Sequence, residues 1–140
     1  MTDEVVSQLN KKIRGNVITP ANSEYEVARK VYNGMIDRRP AAIVRCADVA
    51  DVRAAVNFAR QDGLTVAIRG GGHNGPGLGV CDQGLVIDLS PMKGIRVNPA
   101  NRTVRVEPGC AQGDVDHASH MFRLAVPAEE IMKIRSDYAP

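Results

Sequence analysis

The sequence predicts an α+β domain made of a strand–helix–strand unit, a β-hairpin and a closing helix. Three observations predict it. Residues 42–68 read as strand, helix, strand; a glycine run, Gly70-Gly71-Gly72, cuts off the second of those strands; and residues 94–107 hold two alternating segments around a polar turn.

The first segment, from Thr2 to about Ile13, has apolar positions at Val5, Val6, Leu9 and Ile13, which suits one helix face with Thr2 as N-cap. Gly15-Asn16 closes it, and Val17-Ile18-Thr19 is a short strand before Pro20. Ser23 and Glu26 stand at capping-box spacing, so a second helix is expected there, with Val27 and Val31, ending at Asn33-Gly34. Asp37-Arg38-Arg39-Pro40 is a polar break, because the position before a proline disfavours helix.

From Ala41 the pattern changes. Ala42-Ile43-Val44 is a buried strand, and Asp48 caps the next helix with Asp51 at the positive end of its dipole. Val49, Val52, Val56 and Ala59 form the expected apolar stripe, and Gly63 stops the helix as a C′ residue. Leu64, Val66 and Ile68 alternate with Thr65, Ala67 and Arg69, the period of a buried or half-buried strand. A connection of this length implies parallel pairing with a right-handed crossover, and ligands of such units lie beyond the carboxyl ends of the strands. Leu85 to Leu89 is a further buried strand. Gly94–Val97 and Thr103–Val106 form the hairpin, with one basic face exposed. Pro108-Gly109 ends it, and a last helix places Val115, Ala118, Ser119 and Phe122 on one side. Leu124 to Pro127 leaves that helix, and residues 129–140 show no clean period.

The glycine run is the most informative stretch. Three glycines in a row are costly in backbone entropy and give a strand nothing to pack. They imply that another molecule, or another piece of backbone, approaches the main chain closely. Amide groups exposed in such a turn make a concave donor site suited to phosphate or pyrophosphate. His73 stands at its rim, read either as a functional group or as a structural histidine bonding its own loop.

Composition narrows the function classes. A chain of 140 residues is long enough to bury a core, and a net charge of +2 without a basic cluster argues against nucleic-acid binding. Aromatic residues are scarce and tryptophan is absent, which argues against base-stacking platforms. No apolar run approaches the ~20 residues of a membrane span, and Met1-Thr-Asp-Glu lacks the features of a signal peptide, so a cytoplasmic location is expected. Cys46, Cys81 and Cys110 are odd in number and far apart, a pattern of isolated thiols rather than of disulfides or zinc ligands.

Other motifs fit less well. Gly70, Gly72 and Gly75 match a dinucleotide fingerprint in spacing, with Asp88 at a passable distance for the acid, but Pro76, Gly77 and Gly79 prevent a helix from starting there. No Walker lysine follows the glycines, and no G-x-S-x-G elbow exists. His117 and His120, with Asp114 and Asp116, read as a solvated helix face rather than a metal site.

The runs Arg69 to Asn74, Gly84 to Ser90 and Val104 to Gly109, together with Asn33 to Arg45, resemble the FAD-binding (PCMH-type) domain of the vanillyl-alcohol oxidase family, most closely bacterial berberine-bridge-enzyme-like FAD-linked oxidases. The resemblance runs from about Tyr25 to Pro127 and implies the first subdomain of that domain. It implies an FAD-dependent oxidoreductase taking a hydride from a small-molecule substrate. Carried onto this chain, the cofactor-binding residues are Arg69, Gly70, Gly71, Gly72, His73, Asn74 and Gly75, with His73 bonded covalently to the flavin 8α-methyl carbon. A neutral imidazole is a suitable nucleophile for that bond, while the flavin performs the redox chemistry.

The family pattern continues beyond Leu124–Pro127 into a second glycine-rich stretch, a second FAD subdomain and a substrate domain. No second glycine loop follows Pro127 here, so a truncated member is expected, with no catalytic residue assigned and no activity of its own. The expected organisation is a helical lead-in over 1–36, a partial FAD-binding domain over 37–128 and a divergent tail over 129–140. The second covalent cysteine of bicovalent members has no counterpart, since Cys81 and Cys110 lie elsewhere. An uncovered apolar face, and self-association through it, are expected, along with reversible flavin binding and little covalent flavin. A non-catalytic flavin- or nucleotide-binding module, or a remnant completed by a partner chain, stays open.

Overall fold

The structure, a computed structural model, describes residues 3–127, with side chains from residue 6 onward. It divides into two compact units, one up to Met92 and one from Lys93.

In the first unit the elements are α1 (Asp3–Asn10), β1 (Asn16–Ile18), α2 (Tyr25–Ala28), β2 (Ala42–Arg45), α3 (Val49–Gln61), β3 (Val66–Arg69) and β4 (Leu85–Asp88). Thr2, the expected cap of α1, lies outside the described residues. The four strands form one sheet in the order β1-β2-β4-β3, with β1 antiparallel to β2, and β2 and β3 each parallel to β4. The strand–helix–strand unit over 42–68 is therefore parallel, as expected, but its two strands are not neighbours: β4 lies between them. The reason is burial. All four residues of β4 are buried, as suits an apolar run at the centre of a parallel sheet covered on both faces.

Successive side chains point to opposite faces, and each face has its own core. Val17, Ala42, Val44, Leu85 and Ile87 pack with Leu9 of α1 and with Ala55 and Ala59 of α3. Ile18, Ile43, Ala67 and Val86 pack with Tyr25, Ala28, Val80 and Cys81. Three local expectations are corrected. In α3 the buried residues are Asp51, Ala55 and Ala59, flanked by the half-buried Val52 and Phe58 that pack on the same core, while Val49 and Val56 fall off that face and are exposed. In β3 the apolar positions are not the buried ones: Ala67 and Arg69 are buried, whereas Val66 and Ile68 are exposed at the sheet edge, where α3 packs over β2 and β4 instead. The Ser23–Glu26 capping box does not form; Glu24 caps α2 without a side-chain bond, and the Glu26 carboxylate pairs with Arg29 and Arg39.

Asp48 caps α3 as expected, accepting from the Ala50 and Asp51 amides. Asp51 does more than favour the dipole. It is buried, and it accepts the backbone N–H of Arg14 (2.8 Å), Gly15 (2.9 Å) and Ala47 (2.8 Å), fixing the turn before β1 and the end of β2 to one carboxylate. Gly63 has φ +60°, in keeping with its place after α3.

The second unit holds an antiparallel hairpin, β5 (Ile95–Asn98) and β6 (Thr103–Val106), and α4 (Gln112–His120). Arg96 and Arg105 stand opposite one another and exposed, the expected basic face. The Ala111 N–H donates to the Asp114 carboxylate (2.8 Å) at the start of α4, and Val115 and Ser119 are its buried residues. Phe122, expected on that face, is exposed. Residues 129–140, expected as a tail, lie outside the described residues.

Candidate functional site

Strands β3 and β4 run in register, so Arg69 and Asp88 stand side by side at their carboxyl ends. Both side chains are buried, and Arg69 Nη2 donates to Asp88 Oδ2 at 2.8 Å. Asp88 also accepts the Ser90 amide (3.0 Å), and Arg45 Nε lies 3.7 Å away. Asp88, which sits at the spacing of a ribose-binding acid, is thus bound to Arg69. Around this ion pair the chain leaves β3 and enters the glycine loop without starting a helix.

Within the loop, Gly72 has φ +72° and Gly77 φ +77°, a region costly for residues with a Cβ. A Cβ on Gly77 would also meet the Ile36 side chain at 2.8 Å. Asn74 closes the far side: its carbonyl accepts the Gly77 amide (3.0 Å) and its Oδ1 accepts the Leu78 amide (2.9 Å). The carbonyls of Gly72 and Gly75 accept hydrogen bonds, whereas the amides of Gly71, Gly72 and Gly75 donate to no protein acceptor among the described residues. A Cβ on Gly75 would meet nothing within 4 Å. The loop therefore presents open backbone donors, a fit for an anion such as a diphosphate. His73 is half-buried, and its ring centroid lies 5.2 Å from that of Tyr32 at an interplanar angle of 42°.

The expected site residues thus fall into two groups. Gly70 to Gly75, with His73 among them, form one loop. Arg69 lies beneath it, engaged by Asp88 and by the Lys30 carbonyl (3.2 Å).

Sequence reasoning missed what lies against the loop. Residues 30–39 run beside residues 69–82 in matching order. The Tyr32 amide donates to Gly72 O (3.0 Å), Asn33 Nδ2 to Gly75 O (2.9 Å), Arg38 Nη1 to Val80 O (3.1 Å) and the Arg39 amide to Asp82 Oδ1 (2.7 Å). Arg29 anchors this strap through Glu26, Asp37 and the Arg38 carbonyl. The hydrogen bonds and charge of Arg29, and of Arg39 for Glu26, hold the Glu26 and Asp37 carboxyls below their ordinary range. The only local hint was the run of hydrogen-bonding and turn residues from Asn33 to Arg39.

Cys46 and Cys81 belong to the two cores of the first unit. Burial pushes the Cys46 thiol up to about 12 and raises that of Cys81. His117 and His120 are exposed on α4. In the first unit a cleft of about 410 Å³ beside α1, reaching Asn10 and Thr19, is separate from the loop; the second unit has a cleft of about 260 Å³ of its own beside the hairpin, reaching Arg102 and Ser119.

Three parallel strands leading into a glycine loop with open amides make a geometry that fits a phosphate-bearing ligand. The FAD binding domain family model matches residues 40–132, and the chain belongs to that family. It is 34% identical over 113 residues to the (R)-6-hydroxynicotine oxidase of Paenarthrobacter nicotinovorans, covering 81% of this chain and 25% of that protein. The solved structure of 6-hydroxy-D-nicotine oxidase from Arthrobacter nicotinovorans matches with a TM-score of 0.75 and 34% identity, over 79% of this chain and 24% of the other. BBE-like 1 of Physcomitrella patens matches with a TM-score of 0.73 and 35% identity, over 81% and 25%. The resemblance to berberine-bridge-enzyme-like FAD-linked oxidases and the PCMH-type fold are thereby established, and the chain spans about a quarter of the length of these relatives.

Proposed function

We propose that this chain is the flavin-holding portion of an FAD-linked oxidoreductase, and that residues 70–75 bind the FAD diphosphate through their amides. The observation that carries this reading is the set of N–H groups of Gly71, Gly72 and Gly75, after the carboxyl end of β3, that donate to no acceptor among the described residues, in a chain of the FAD binding domain family. Arg69 supports the loop from below through Asp88 and is a positioning residue rather than a ligand. His73, at the rim, is the residue we assign to covalent attachment at the flavin 8α-methyl carbon. When bound, the flavin supplies the redox chemistry, accepting a hydride from a small organic substrate.

Attachment needs the flavin ring aligned within contact distance of the imidazole, and small misplacements cost orders of magnitude in rate. The 140-residue chain is therefore expected to hold FAD mainly reversibly. The test is to purify it with excess FAD, denature it in acid and map retained flavin by peptide mass. Any adduct should lie on the peptide carrying His73 and vanish in His73→Ala, while reversible binding persists. Flavin on Cys81 or Cys110, or no FAD bound before denaturation, would overturn the assignment.

A further inference from the structure

The strap of residues 30–39 lies outside the stretch that the family model matches, which begins at residue 40. It nevertheless makes the contacts that shape the loop around His73. Two of them bracket the histidine: the Tyr32 amide holds Gly72 O one residue before it, and Asn33 Nδ2 holds Gly75 O two residues after it. The Tyr32 ring then covers part of the imidazole, with centroids 5.2 Å apart, within the range of favourable aromatic pairs. Neither residue is needed for the core. Tyr32 is 69% exposed, and Asn33, half-buried, belongs to neither core, its Oδ1 accepting the Met35 amide at 3.1 Å. An exposed tyrosine laid on a half-buried histidine, next to an asparagine whose side chain is tied to the same loop rather than to the core, is hard to explain by stability alone.

We propose that Tyr32 and Asn33 are positioning residues for His73: Asn33 fixes the loop that carries it, and the Tyr32 ring restricts its imidazole to one orientation. This rests on the reading of His73 as the flavin-linked residue. The phenol oxygen has no part in it, so phenylalanine should replace Tyr32 and alanine should not. The loop backbone would remain shaped by Asn74 and by the Tyr32 amide, which every Tyr32 variant retains.

The test reads the histidine without any flavin. The full chain and its Tyr32→Ala, Tyr32→Phe and Asn33→Ala variants are acylated with diethyl pyrocarbonate, and modification of His73 is followed by peptide mass. The exposed His117 and His120 serve as internal references. Tyr32→Ala should raise the relative rate at His73 by roughly 2- to 10-fold, the factor that an aromatic pair of ~0.5–1.4 kcal/mol carries. Tyr32→Phe should leave it unchanged. Asn33→Ala should speed amide exchange at residues 73–75 while the melting temperature holds. In NMR spectra the His73 ring protons should lose a ring-current shift in Tyr32→Ala and keep it in Tyr32→Phe. Equal His73 reactivity and equal ring-proton shifts in all the chains would overturn the proposal, as would a Phe variant behaving like Ala. A chain that binds no FAD but shows the expected Tyr32 effects would uphold the positioning role and count against the flavin assignment alone.

Discussion

Replacing Arg69 by methionine keeps much of the side-chain length while removing the partner of a buried carboxylate. In the folded chain Asp88 is 3% exposed and receives Arg69 Nη2 at 2.8 Å, the Ser90 amide at 3.0 Å and a distant Arg45 Nε at 3.7 Å. Breaking a buried ion pair from one side costs about 3–5 kcal/mol, because the remaining charge stays desolvated. Arg45, itself about a third exposed, can move closer, so the lower end applies and the expected loss is ~3 kcal/mol. The Arg69 stem adds to this, since its Cδ lies 3.6 Å from the position a Cβ would take on Gly72 and its Cγ 3.6 Å from that on Gly79. Equilibrium urea unfolding measures the loss as a fall in midpoint at unchanged slope. Adding Asp88→Leu to Arg69→Met should recover a large part of it, since no uncompensated charge remains. A single variant within about 0.5 kcal/mol of the parent would refute the reasoning.

Three further outcomes follow from the same geometry. Burial pushes the Asp51 carboxyl up, but the amides of Arg14, Ala47 and Gly15 outweigh it and hold it below its ordinary value. Its stabilisation is therefore complete above the unfolded-state value near ~4 and is lost as pH falls through the folded value; Asp51→Asn should flatten the acid limb of a melting-temperature profile, and Asp51→Ala should cost about 3 kcal/mol at neutral pH. At pH 8 a maleimide should label the half-buried Cys110 first and reach Cys46 and Cys81, both buried with raised thiols, only on unfolding, as mass spectrometry of timed samples would show. Val66 and Ile68 leave apolar surface on an edge strand, so we propose that the chain self-associates there and that Ile68→Lys lowers its sedimentation-average mass.

Much of this fold was legible because its signals are local. Asp48 as a cap, Gly63 after α3, the apolar run of β4 and the alternation of β5 and β6 each depend on a few neighbouring residues. The glycine loop stood out for the same reason. What was not legible depends on distant partners. The alternation from Leu64 to Arg69 gives a strand but not which set faces inward: Leu64 packs against the core, yet within β3 the buried places go to Ala67 and Arg69, the latter because Asp88 stands beside it in register. Asp51 reads as a dipole residue, and its three acceptor bonds come from amides 4, 36 and 37 residues away. Glu26 has capping-box spacing, but two arginines compete for it. The strap over the loop has no period, because its contacts are single hydrogen bonds to irregular backbone. Tyr32 and Asn33 could not be assigned to His73 until the chain was folded.

The central claim, that the open amides of residues 70–75 take the FAD diphosphate, is tested most directly by titrating FAD into the chain and into Gly75→Asp. The site of this substitution has nothing within 4 Å of its Cβ, so the fold should tolerate it while a carboxylate enters the anion cradle. Saturable binding displaced by ADP, weakened about tenfold or more in Gly75→Asp at an unchanged melting temperature, is the expected result. Absence of saturable binding, or equal affinity in the two proteins, would contradict it.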